Sequence, residues 1–175
     1  MEPTLEIHAL PHPDAKVRRL GFDLTDPYVE QCWSSVLGPS GVAVLRRMPT
    51  LWREQEPARV RSAALAATFG MTSGIGEHAT FKRTLDRLVH FRFGHWIDEG
   101  AALGIYSDVP PLSGNALRRA PEWTKATHER LLGRHLDGIA TRRDHGASVA
   151  DITARLDRLQ EPNPARLPPT QALKR

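Results

Sequence analysis

Arg59-Val-Arg-Ser-Ala-Ala-Leu-Ala-Ala-Thr-Phe-Gly70, then Glu77-His-Ala-Thr-Phe-Lys-Arg-Thr-Leu-Asp-Arg-Leu-Val-His90, then Phe91-Arg-Phe-Gly-His-Trp-Ile97 are the stretches whose reading decides the fold. Ala63, Ala64, Leu65, Ala66 and Ala67 are mostly strong helix formers, so residues 59–68 read as a short helix. Gly70 stands where a helix C-terminus needs a positive φ. In residues 77–90, Phe81, Leu85 and Leu88 recur at i, i+4 and i+7, one face of a second helix. His78, Lys82, Arg83, Asp86 and Arg87 fall largely on its other faces. Residues 91–97 and 101–107 are rich in aromatic and branched side chains and read as two short strands. Asp98-Glu99-Gly100 supplies the turn between them.

Outward from this block the elements are weaker. Residues 1–25 carry Pro3, Pro11 and Pro13 and little periodicity, so they read as an extended arm with one short strand at residues 5–9. Lys16, Arg18 and Arg19 form a small basic cluster on that arm, a solvated run or a phosphate-following one. Asp26-Pro27 is a helix start, with an N-cap residue followed by proline. That helix is expected to reach Leu37, with Tyr28, Trp33, Val36 and Leu37 inward. Gly38-Pro39 breaks it. Ser40 caps a further helix with Val42, Val44, Leu45 and Met48 apolar, and Pro49 ends or bends it.

Beyond the hairpin, Pro110-Pro111 closes the domain, and residues 115–119 make a turn of helix. Pro121 opens a helix to about Leu136, with Trp123, Ala126 or Thr127, Leu131 and Leu132 buried. Residues 137–146 read as a linker. Ser148, with Asp151 three residues on, caps a short helix whose apolar face is Val149, Ile152, Leu156 and Leu159. Four prolines after Glu161 argue a disordered tail. The expected division is therefore an arm at 1–25, a core domain at 26–136, a linker and helix at 137–160, and a tail at 161–175.

Helix, turn, basic helix and β-hairpin in that order, with the phrase Leu65-Ala-Ala-Thr-Phe-Gly70, resemble a winged helix-turn-helix domain over roughly residues 38–112. Leu37-Gly-Pro-Ser40, Arg46-Arg47 and Val109-Pro-Pro-Leu112 are similar in style to winged-helix proteins of high-GC actinobacteria and their mobile elements. The resemblance implies a mainly α fold with a small β-hairpin. It also implies that the second helix enters the DNA major groove while the hairpin touches a neighbouring groove or the phosphates.

Charge agrees with that implication. Lys and Arg exceed Asp and Glu by 24 − 20 = 4 in the whole chain. Residues 59–95 hold six basic and two acidic side chains, so this one segment equals the surplus. Candidate DNA contacts are His78, Lys82 and Arg83 for base edges, with Thr80 beside them, and Arg87 for phosphate. Thr72 and Ser73 in the turn, and Arg92 and His95 on the first strand of the hairpin, are further candidates. The tip, Asp98-Glu99, repels phosphates and argues against a wing inserted in the minor groove. Trp96 and Ile97 read as core.

Other classes find little here. No Gly-x-x-x-x-Gly-Lys-Ser/Thr or Gly-x-Gly-x-x-Gly occurs. Ser113 and Ser148 lack a nucleophile-elbow context. His128, Glu129 and His135 lack the His-Glu-x-x-His spacing, and the two histidines read as surface residues, not a metal pair. Cys32 is the only cysteine, which excludes an internal disulfide and a cysteine-rich zinc finger and fits a reducing cytoplasm. Residues 1–8 do not resemble a signal peptide, and no apolar run is long enough to span a membrane. The expectation is a cytoplasmic, cofactor-free, non-enzymatic protein that binds double-stranded DNA. It would act as a transcriptional regulator or as a mobile-element or plasmid control protein. The alternatives are a winged-helix module for protein contacts and a plasmid or phage replication or partition factor. Homodimerisation through the C-terminal helices is expected as well.

Overall fold

The computed structural model describes residues 4–72, 79–98 and 101–160, with residues 142–160 as backbone only. It contains β1 (Thr4–Leu10), α1 (Ala15–Leu20), β2 (Phe22–Asp23), α2 (Pro27–Gln31), α3 (Ser34–Glu54), β3 (Ala58–Arg61) and α4 (Ser62–Thr68). These are followed by α5 (Thr80–His90), β4 (Gly94–Asp98), β5 (Ala102–Tyr106), β6 (Asp108–Val109), α6 (Gly114–Arg119) and α7 (Glu122–Gln160). The fold is mainly helical with a small sheet. Two compact units divide it, Met1–His135 and Leu136–Arg175.

In the first unit the strands run in the order β3-β1-β5-β4, and β2 pairs separately with β6. β1 is antiparallel to β3 and parallel to β5, with Ile7 opposite both Ala58 and Leu103. The N-terminal segment expected as an arm is therefore an inner strand. Leu5 and Ile7 alternate with less buried neighbours and point into the core. Its polar face is tied too: Glu6 pairs with Arg59 at 2.9 Å across the β1–β3 ladder. The Trp52 indole N–H donates to the Ile7 carbonyl at 3.2 Å.

The two expected strands pair, but β4 begins at Gly94 instead of Phe91 and takes in Asp98, which was expected in the turn, and the pair is half of a four-stranded sheet. Gly94 is required by close approach, since a Cβ there would lie 2.0 Å from the Gly104 backbone oxygen, whereas a Cβ on Gly104 would displace the end of the Leu10 side chain. Ile97 is the extra residue of a register shift between Trp96 and Asp98, and it is 49% exposed. The expectation that it is core is corrected: the bulge turns it out. Trp96 is partly buried against the core. The turn residues Glu99 and Gly100 lie outside the described residues.

Several boundaries differ. Residues 58–61 are strand, not helix, because Arg59 and Val60 complete the ladder to β1; the alanine-rich run makes the helix only from Ser62. Gly70 does take a positive φ of 64° after that helix. α2 stops at Gln31 short of Leu37, with Asp26 accepting from the Tyr28 N–H at 2.7 Å as its cap. The break at Gly38 is present, with φ 77°. Pro49 neither ends nor bends the helix enough to stop it, and α3 runs to Glu54 with Val42, Val44, Leu45 and Met48 buried. α5 buries Phe81, Leu85 and Leu88 as expected, and Thr84 with them.

α6 occupies the expected turn of helix, and Ser113 accepts from the Ala116 N–H as its cap. On α7 the inward face is Thr124, Thr127 and His128, while Trp123 is 63% exposed. Thr127, Leu131 and Leu132 turn inward as expected, the two leucines partly buried against the core, while Trp123 does not. Residues 137–146 are helical, not a linker, since helix formers outnumber the glycines there, each of which costs only about 1 kcal/mol. The second unit contains the remainder of α7; the apolar face expected at Val149–Leu159 falls where only backbone is described, and the tail at 161–175 lies outside the described residues. No described helix is long and apolar enough to cross a membrane.

Candidate nucleic-acid interface

α5 positions the candidate site. Its apolar face is held by α3 at one end and its C-terminus runs into β4, so its outward residues are Thr80, Lys82, Arg83, Arg87 and His90. Gly41 of α3 faces Leu88 of α5, but the tight spot beside it is within its own helix. A Cβ there would sit 3.0 Å from the Leu37 Cβ and 3.7 Å from Leu88.

The outward residues are not equivalent. Lys82 donates to the Asp86 carboxylate at 2.6 Å, one turn along, and the other oxygen of Asp86 accepts from the Trp96 indole at 3.1 Å. Asp86 therefore ties the helix to β4 and uses the charge of Lys82 locally. Arg87 donates through Nη2 to the Val36 carbonyl at 2.5 Å, two residues before the Gly38 break, and lies 5.5 Å over the Phe91 ring. A helix end leaves carbonyls without intrahelical partners, and here a guanidinium takes one. Arg83 makes no ion pair or hydrogen bond among the described residues.

Thr72 and Thr80 come together, with their hydroxyls 3.2 Å apart, and the Thr80 backbone N–H donates to the Thr72 hydroxyl at 3.3 Å. Thr72 thus serves the first turn of α5, where Ala79 offers no capping side chain. Arg92 is exposed and holds a positive φ of 62° after the helix, an uncommon conformation for a side-chain-bearing residue. His95 is exposed on β4, with Nδ1 3.4 Å from the Tyr106 hydroxyl. Ser73 and His78 lie outside the described residues.

The structure also gathers residues that the pattern did not single out. A groove of about 790 Å³ runs between the broken region of α3 and α5. Gly38–Gly41 forms one wall, and Thr80, Arg83, Thr84, Asp86, Arg87, His90 and Phe91 form the other. The Gly38-Pro39 break was visible in the chain; its meeting with α5 is tertiary.

A second polar cluster is buried. The Leu112 N–H donates to the Tyr28 hydroxyl at 2.9 Å, and that hydroxyl lies 2.5 Å from His128 Nδ1. With the Tyr28 oxygen accepting from Leu112, we assign its proton to the bond with a neutral His128. Burial lowers the pKa of His128, against the opposing pull of Glu129. Burial likewise raises that of Tyr28, so both stay neutral near pH 7. The Cys32 thiol is pushed up to about 11, again by burial, and is an inert core group. His128 is thus a buried hydrogen-bonding residue, not a surface one, and His135 stacks on Phe22 with centroids 4.2 Å apart. No group of three or more potential metal ligands occurs among the described residues.

No protein-family model, curated protein or solved structure matches this chain.

Proposed function

We propose that the chain binds double-stranded DNA through α5, in the manner of a winged helix-turn-helix module. Its role would be that of a transcriptional regulator or of a mobile-element or plasmid control protein, working in the cytoplasm without enzymatic activity. One observation carries the reading. A helix with Phe81, Leu85 and Leu88 turned inward, packed on α3 and β4, presents Lys82, Arg83 and Arg87 outward. That is the disposition a groove-reading helix needs. A replication or partition factor would use the same contacts, so its distinction lies in the DNA site bound.

The test is a gel-shift titration with random genomic fragments at two salt concentrations. Affinity should fall steeply between about 50 and 200 mM salt as phosphate contacts release counterions. Retardation that ignores salt, or none at low salt, would falsify the reading.

The exposed Trp123 favours a second reading, a module for protein contacts, since exposed tryptophans anchor interfaces. For assembly we propose a homodimer through the C-terminal stripe Val149, Ile152, Leu156 and Leu159. Light scattering on the chain with and without residues 147–175 decides this, with a dimer mass expected only for the intact chain.

A further inference from the structure

Cations on α5 are partitioned by what they already touch. On the side towards β4, Lys82 is held by Asp86, and Asp86 also takes the Trp96 indole. The adjoining strand ends in Asp98, exposed and acidic. A phosphate arriving there meets a neutralised lysine and a carboxylate. On the side towards α3, the groove wall carries Arg83 and Arg87, with His90 at the same wall. Among the described residues the only acid lining it is Asp86, whose two oxygens are already hydrogen-bonded.

The two arginines play different parts. Arg87 is fixed by the Val36 carbonyl and the Phe91 ring, which leaves its other N–H donors available at a set position. Arg83, one turn earlier on the same face, is exposed and without a partner among the described residues. Their opposite wall is Gly38-Pro39-Ser40-Gly41. A Cβ at Gly38 would meet nothing within 4 Å, so the groove is open there, and Ser40 adds a hydroxyl. The space is large enough for a phosphate with a sugar on either side.

We propose that this groove is a phosphate site, which seats one backbone phosphate of a bound duplex on Arg83 and Arg87 while the β4 side of α5 stays off the backbone. The duplex as the source of the phosphate rests on the DNA reading above. The chemistry of the site does not, because any phosphate on a flexible polyanion offers oxygens for the same guanidinium donors.

The test uses the full chain. Anisotropy with a fluorescently labelled random-sequence duplex should show Arg83→Ala binding about tenfold more weakly, with a salt slope smaller by about one. Asp98→Asn, on the β4 side, and Lys125→Ala, outside the groove and paired with Glu122, should each change affinity less than about twofold. Arg83 is chosen because Arg87 also braces α3. A tenfold gain in Asp98→Asn, or a loss in Lys125→Ala equal to that in Arg83→Ala, overturns the proposal, as does an unaltered Arg83→Ala.

A second arm separates this inference from the DNA reading. Inorganic tripolyphosphate is titrated while the Nε–Hε resonances of Arg83 and Arg87 are followed by NMR. If the wild type ignores duplex but these two resonances shift, the DNA reading fails and the phosphate site stands with a free polyphosphate as its ligand. If they stay still and duplex is not bound, both are overturned.

Discussion

β1 and β4 border the same strand, β5, from opposite sides. β1 runs parallel to it and is paired on both of its own edges, with Leu5 and Ile7 almost wholly buried. β4 runs antiparallel, lies at the sheet edge, and leaves His95, Ile97 and Asp98 exposed. The first contact joins distant parts of the chain, Ile7 to Leu103; the second joins Gly94 to Ile105 through a short turn. The difference teaches where stability and function are separated in this fold. The strand that the chain must travel far to recruit holds the core together. The locally formed strand is free to carry exposed, chemically variable residues.

That contrast can be broken most directly by deleting residues 1–10. With β1 gone, β3 and β5 lose their shared partner, and the buried contacts of Leu5 and Ile7 vanish. The expected outcome is loss of cooperative thermal unfolding by circular dichroism; a truncated chain that melts like the whole one would show that β1 is an appendage. Next in size, Ile7→Ala should cost about 2–5 kcal/mol in denaturant unfolding, through lost burial plus a cavity.

A pH dependence sharpens the picture of the buried side. Because burial lowers the pKa of His128, the unfolded chain takes up a proton that the folded chain refuses. Stability from this residue is complete above the ordinary histidine value of 6.5 and declines as pH falls from there towards the lowered folded value. The melting temperature should therefore drop between about pH 7.5 and pH 5, and the drop should shrink in His128→Gln. An identical drop in both proteins would assign the effect to other groups. Smallest of all, Ile97→Ala on the edge strand should stay within about 0.5 kcal/mol of wild type by the same denaturant measurement. A loss near that of Ile7→Ala would erase the distinction between the two strands.

The same distinction explains which parts were legible from residues. Phe81, Leu85 and Leu88 announce the inner face of α5 through a 3.6-residue period, and Gly70 announces the end of α4. Both signals are local. β1 offered only a short alternation between prolines, and nothing in residues 4–10 names β5 as a parallel neighbour. Arg59–Arg61 lies beside an alanine-rich run, and only pairing with β1 makes it a strand. Trp123 was expected inside with Thr127, Leu131 and Leu132, yet it faces out. The buried place of His128 rests on a hydrogen bond to Tyr28, 100 residues away, that composition does not disclose. Within the candidate site, the residue types of α5 were readable. Their division was not, since Lys82 answers to Asp86, and Arg87 to a carbonyl 51 residues away.

The place of β1 also sets a schedule for the newborn chain. At roughly 5–20 residues per second of synthesis, residues 4–10 leave the ribosome about 5–20 s before β5 is complete. β3 arrives about midway and is antiparallel, so it is the first native partner on offer. Until β5 is made, the other edge of β1 stands open, with Leu5 and Ile7 lacking their final neighbours. An open apolar edge invites foreign strands. The order in which the ribosome delivers its strands therefore makes the interval between β3 and β5 the hazardous part of this protein's biogenesis.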